Sequence, residues 1–196
     1  MPGSLGLVAS CITVISALAF LGLMIALHIL PNRYNPIKNT VSDYAVAPSG
    51  KLHAFIAVAM PLTGAISSLG LAIAIAASIN TASIYAVVLL IVASVFRLLL
   101  IFFPTDITGQ PATTIGRIHL MCAVVAFAGI AFAAGNFHMT AADEIIGQVV
   151  ASAAVLLLLE FFLSPLKKIF GLLERIFLLS SVVWLVVVGC ELFLKG

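Results

Sequence analysis

Six apolar runs, each long enough to cross a bilayer, take up most of this 196-residue chain and leave little from which to build a water-soluble surface. The first goes from Leu5 to Leu30 and stops at Pro31-Asn32-Arg33, where proline and charge end both helix and membrane burial. After the polar loop Pro31 to Gly50, the second runs from Leu52 to Ile79, with Asn80-Thr81 as the following turn. The third, Ser83 to Phe103, ends before Pro104. The fourth covers about Ile115 to Ala134, the fifth about Ile145 to Leu163, and the sixth about Leu172 to Leu194. Charged residues make up only 8% and hydrophobic ones 63%, with a mean hydropathy of +1.30, whereas a soluble domain carries about a quarter charged residues. Lipid is therefore the solvent, and the expected fold is an all-α, polytopic membrane helical bundle of six transmembrane helices, one domain over residues 1–196. The N-terminal run has no charged flank or small-residue cleavage site of a signal peptide and is expected to be retained.

Lysine and arginine are distributed unevenly between the two ends of such a bundle. Arg33, Lys38, Lys51, Arg117, Lys167, Lys168 and Arg175 fall in the loops after runs one, three and five, and only Lys195 falls opposite. By the positive-inside rule those three loops are cytoplasmic, giving a multi-pass cell-membrane protein with both termini extracytoplasmic. The three cysteines, Cys11, Cys122 and Cys190, lie in separate apolar runs and are read as packing residues. Gly70, Ala74 and Ser78 form a ridge of small residues, and Gly129 with Ala133 repeats it. Such ridges let helix backbones approach closely, within the bundle or across a homodimer contact. Pro61 is expected to kink the second helix.

Ionisable side chains inside a bilayer cost at least ~2.5 kcal/mol at the helix centre, so each needs a physical reason. Here they gather at the predicted cytoplasmic ends: His28, His53, Arg97, His119 and Glu160, with Asp43, Asp106, Glu174 and Arg175 beside them. Arg97 lies about six residues, or roughly 9 Å of helix rise, inside the end of its run. It is either an ion-paired or snorkelling residue, with Glu160 as a partner at similar depth, or an anion-binding group for a phosphate or carboxylate headgroup. Thr40-Val41-Ser42-Asp43 has the spacing of a capping box, and with Asn39 and Tyr44 it makes a dense polar patch. Asp106 is placed to bond Arg97 or to cap the next element. His53 and His119 each begin a run, where an amphipathic ring sits comfortably at the interface. A zinc site would require His28, His53 and His119 to converge with Asp43 or Asp106, and no HxxxH or HExxH spacing supports one; bis-histidine haem is disfavoured for the same end-on placement. At the opposite end, Thr140-Ala141-Ala142-Asp143 is a second capping box, and His138 and Glu191 stand alone.

Tyr34-Asn35-Pro36, Asn39-Thr40-Val41-Ser42-Asp43, Arg97 before Phe103-Pro104-Thr105-Asp106, Gly116-Arg117-Ile118-His119, and Gly171-Leu172-Leu173-Glu174-Arg175 ahead of Trp184 occur in that order. On these residues the chain resembles the prokaryotic membrane proteins grouped as domain-of-unknown-function family 998, over nearly its whole length. The resemblance implies a six-span bundle and brings no activity with it. The polar groups at one face are more distantly similar to multispan lipid-modifying hydrolases that use Ser, Asp and three His around zinc, from which this chain departs in span count and in lacking a paired His motif.

The expected function is a cavity at the cytoplasmic face that binds a lipid headgroup or other amphiphile. Arg97 supplies the charge, Asp43, Asp106 and His119 position the ligand or act on its protons, Ser42 bonds to it, and Asn39 and His53 complete the set. The rival readings are an accessory subunit of a membrane complex and a zinc-dependent intramembrane lipid hydrolase. Membrane lipids are the expected partners, with a homo-oligomer or larger membrane complex as the protein contact. No cofactor is expected, and the few, interfacial basic groups exclude nucleic acid.

Overall fold

In hydrocarbon every unpaired backbone N–H or C=O costs several kcal/mol, so apolar runs of this length close their hydrogen bonds within themselves as helices. The computed structural model describes residues 4–30, 35–46, 51–78, 84–106, 111–160 and 166–195. It contains α1 (Ser4–Ile29), α2 (Val41–Val46), α3 (Lys51–Ser78), α4 (Ile84–Leu99), α5 (Thr114–Asn136), α6 (Ala141–Leu159), a 3-10 turn (Leu166–Ile169) and α7 (Phe170–Leu194). Five of these helices, α1, α3, α5, α6 and α7, are long and apolar enough to span a membrane. The stop at Pro31-Asn32-Arg33, the turn at Asn80-Thr81 and the end of the fifth run at Leu163 lie outside the described residues.

The third run departs from expectation. Its helix, α4, has 16 residues and ends at Leu99, and Leu100–Phe103 continue as tight turns, with Ile101 N–H bonding the Leu98 carbonyl and Phe102 N–H that of Leu99. Pro104 is the cause: it disfavours helical geometry at the residue before it, and the chain tightens ahead of it. At 1.5 Å per residue α4 is about 24 Å long, shorter than a hydrocarbon core of ~30 Å. The described bundle is thus five spanning helices plus one shorter apolar helix. Arg97 stands two residues from a helix end rather than six.

The long helices form a closed ring in chain order: α1 on α3, α3 on α4, α4 on α5, α5 on α6, α6 on α7, and α7 back on α1. α7 also reaches across to α3 and α5, and its Phe177 and Trp184 are fully buried. Ala86, Leu90, Ala93, Ser94 and Arg97 are the buried stripe of α4, at helical spacing, whereas Tyr85, Val88, Ile91 and Val95 face outward. The small-residue ridges are used inside the ring. A Cβ on Gly70 would meet Thr13 Oγ1 of α1 at 2.7 Å, and one on Gly129 would meet the Leu89 carbonyl of α4 at 2.9 Å. Gly147 of α6 lies so close to the Ala134 carbonyl of α5 that a side chain there would collide with backbone. Of the cysteines only Cys122 is buried. Cys11 and Cys190 are exposed on the outer surface, where a small apolar side chain faces lipid as readily as protein.

Candidate functional site

Two capping arrangements shape the end of the bundle that carries α2. Thr40 and Asp43 form the expected box: Thr40 N–H bonds Asp43 Oδ2 at 3.0 Å and Asp43 N–H bonds Thr40 Oγ1 at 3.0 Å. Asp43 is buried and also receives Asn39 Nδ2 at 3.3 Å. Asn39 in turn accepts the Asn35 N–H, so it fixes the loop leading into α2. Asp106 caps rather than pairing with Arg97. Its two oxygens receive the Thr113 N–H at 2.8 Å and Thr113 Oγ1 at 2.7 Å, and Thr113 Oγ1 accepts the Gly116 N–H at the start of α5. The hydrogen bonds from Thr113 hold the Asp106 carboxyl below the ordinary carboxylate range. Asp106 presses on the Cα of Gly116, a position that has no room for a side chain.

α7 anchors α2 through two adjacent charged residues. Glu174 Oε2 accepts the Val41 N–H at 2.6 Å. Arg175 donates from Nε to His28 Nε2 at 2.8 Å, and from Nη1 to the carbonyls of Asn39 (2.8 Å) and Gly171 (2.7 Å). Its guanidinium lies over the Tyr44 ring, 5.2 Å from the centroid. His28 Nδ1 is 2.6 Å from the Met24 carbonyl, which can only accept, so Nδ1 carries the proton and Nε2 is free to receive Arg175. Burial raises the Tyr44 phenol above its usual value against the opposing pull of Arg175. Gly171 is required here because the Asn39 carbonyl packs directly on it.

Between these anchors and the ring lies a cavity of about 300 Å³. Its walls are mostly apolar, with Phe20 of α1, Met60 and Pro61 of α3, Phe127 of α5, Leu157 of α6 and Phe170 of α7 among them. Its polar lining consists of Arg97, Glu174 and His119 with the hydroxyls of Thr40, Ser42 and Thr105. Val58, Leu120 and Leu158 line it and are 45%, 43% and 46% exposed, so the cavity is open rather than sealed.

Arg97 is 5% exposed. Two donors on one face of α4 fasten it to α3: Ser94 Oγ bonds the Ala65 carbonyl at 2.9 Å and Arg97 Nη1 the Gly64 carbonyl at 2.9 Å. The guanidinium also stands over the Phe20 ring at 5.7 Å. Gly64 makes this possible, because a Cβ there would come within 2.6 Å of Nη1. The partnership with Glu160 expected from similar depth is not made among the described contacts. α4 packs on α3 and α5, whereas Glu160 ends α6 and lies within electrostatic range of Glu174.

Of the residues singled out in the sequence, Arg97, Ser42 and His119 share the cavity wall. His119 Nδ1 donates to the Phe103 carbonyl at 2.7 Å, which leaves Nε2 as an acceptor. Asn39, Asp43 and Asp106 build the surrounding loops without lining the cavity. His53 is 3% exposed in α3, and both its ring nitrogens are buried without a hydrogen-bond partner. Glu174 was legible only as a neighbour of the polar face, although an acidic residue within an apolar run is itself a signal. Among the described residues no three His, Cys, Asp or Glu side chains come together to hold a metal ion.

Ring, apolar exterior and interfacial α2 together define a polytopic helical membrane protein. The family described as "Protein of unknown function (DUF998)" matches residues 14–191, and the chain belongs to it. Neither the curated proteins nor the solved structures compared with the chain gave a match.

Proposed function

We propose that the protein binds the anionic headgroup of a membrane amphiphile in the cavity between α2 and the helix ring, with Arg97 as the charged anchor. The observation that carries this reading is the state of Arg97. A buried cation is normally met by a carboxylate, since desolvation costs several kcal/mol per ion, yet its described hydrogen bond goes to a neutral carbonyl. The rest of the guanidinium borders an open, largely apolar cavity. A phosphate or carboxylate supplies the missing charge and accepts two N–H groups side by side, while apolar walls suit an acyl chain. Thr40 and Ser42, whose hydroxyls bond each other at 2.9 Å, leave one O–H for the same headgroup. At about 300 Å³ the space is at the small end of ligand sites, suited to a headgroup and the first part of a chain.

The distribution of Lys and Arg supports a cytoplasmic position for this end, in a multi-pass cell-membrane protein whose termini face outward. The accessory-subunit reading draws on outward small-residue ridges, but Gly70 and Gly129 are spent on α1 and α4. The hydrolase reading requires a metal ligand set, and His28 Nε2 is taken by Arg175 while no three His, Cys, Asp or Glu side chains converge among the described residues. Lipid mass spectrometry of the purified protein tests the proposal: wild type should carry phospholipid or fatty acid, and Arg97→Ala should lose it. The same lipids retained by Arg97→Ala, or none on wild type, would refute it.

A further inference from the structure

Resting on the headgroup reading above, we infer that the preferred occupant is zwitterionic, a phospholipid whose head carries both a phosphate and a primary ammonium group. Two oppositely charged groups line the cavity, Arg97 and Glu174, each more than nine-tenths buried. Neither bonds the other: Arg97 donates to the Gly64 carbonyl and Glu174 accepts from the Val41 N–H. The Val41 contact is 2.6 Å long. It occupies Oε2 only. No described hydrogen bond reaches Oε1, and the Glu174 side chain lines the cavity. Arg175, the adjacent cation, already serves His28, Asn39 and Gly171. The cavity thus presents a guanidinium donor, the carboxyl group of Glu174 and a neutral acceptor, His119 Nε2.

A head bearing phosphate alone would satisfy Arg97 but leave Glu174 without a partner in the cavity, with Arg175, Asp43 and Glu160 within electrostatic range of that carboxyl group. A head with phosphate and ammonium matches both signs. Both available acceptors, Glu174 Oε1 and His119 Nε2, receive hydrogen bonds, and a primary ammonium has three N–H groups to give whereas a quaternary one has none.

Native mass spectrometry of the full chain, with its own lipid exchanged against lipids of matched acyl chains, reads this directly. Wild type should hold phosphatidylethanolamine about tenfold or more over phosphatidic acid and over phosphatidylcholine, the factor that one charge-assisted hydrogen bond is worth. Glu174→Gln keeps an acceptor for Val41 and should bring phosphatidic acid level with phosphatidylethanolamine. Equal or reversed preference in wild type overturns the zwitterion inference whatever the variant does. If binding of phosphatidic acid then depends on Arg97, the headgroup reading survives; if no lipid depends on Arg97, both fall.

Discussion

Replacing Gly64 by alanine separates the position of the Arg97 guanidinium from its presence. The added Cβ would lie 2.6 Å from Nη1 and 3.3 Å from both Cδ and Cζ, so the side chain has to leave the Gly64 carbonyl rather than merely swing its tip. Loss of a hydrogen bond from a charged donor costs about 1.5–3 kcal/mol, and alanine in place of glycine inside a helix returns about 0.5–1 kcal/mol. The net expectation is a destabilisation of about 0.5–2.5 kcal/mol. Gly22→Ala is the matched control. Nothing lies within 4 Å of a Cβ there, so it reports the helix-propensity gain alone. Reversible unfolding in mixed micelles gives both values, and lipid mass spectrometry on the same preparations gives occupancy. Gly64→Ala should lose most of the bound lipid although its arginine is intact, and Gly22→Ala should keep it. If Gly64→Ala were as stable as Gly22→Ala and as fully loaded, the contact between Arg97 and the Gly64 carbonyl would have no part in holding the anchor.

Arg175→Lys keeps the charge but not the fork, forfeiting at least two charge-assisted bonds at about 1.5–3 kcal/mol each; hydrogen exchange at the α2 amides should accelerate, and unchanged protection there would deny that Arg175 docks α2. Gly147→Ala and Gly171→Ala each drive a Cβ into a backbone carbonyl, of Ala134 and Asn39 respectively, which cannot move aside as a side chain can. Each should cost about 1–3 kcal/mol or more, and yields of folded protein equal to wild type would show that the helices part more readily than this packing implies. For Asp106 the folded pKa is depressed below the ordinary 3.8, so its contribution is complete above that value and is lost as pH falls through the folded one. Asp106→Asn should flatten the acid limb of the melting-temperature profile below about pH 4, and an acid limb identical to wild type would remove Asp106 as its cause.

Much of the bundle was legible because its determinants are local. Apolar run length sets the helices, and Thr-x-x-Asp spacing set both boxes, at Thr40–Asp43 and Thr140–Asp143, where Thr140 Oγ1 accepts the Asp143 N–H and Asp143 Oδ1 the Thr140 N–H. The site was legible in part, for a reason of the same kind. Charge within an apolar run marks Arg97 as costly wherever it lands, but its partner is chosen by the ring order, and α6 does not pack on α4. Similar depth therefore suggested Glu160, while the acceptor was a backbone carbonyl bared by Gly64, which no pattern of side chains announces. Asp106 illustrates the converse. Its partner Thr113 is seven residues away across a loop, so only the folded chain distinguishes capping from pairing with Arg97. The early end of α4 followed from Pro104, and its effect on the depth of Arg97 needed the turns at Leu100–Phe103 to be seen.

Two buried arginines at one end of the bundle are held in different ways. Arg175 spends Nε and Nη1 on three acceptors drawn from α1, the loop before α2 and its own helix, and its remaining Nη2 is buried with no hydrogen-bond partner among the described residues. Its desolvation is offset by the docking of α2, so its presence is explained by the fold. Arg97 has a comparable burial but fastens to one carbonyl that Ser68 Oγ also reaches, at 2.9 Å. Its role in joining α4 to α3 is shared with Ser94, a neutral residue that makes the same kind of bond one turn earlier. A serine or glutamine would join the helices without the cost of a desolvated cation. What distinguishes an arginine at this position is its charge, which in the described structure faces the Phe20 ring and borders the cavity.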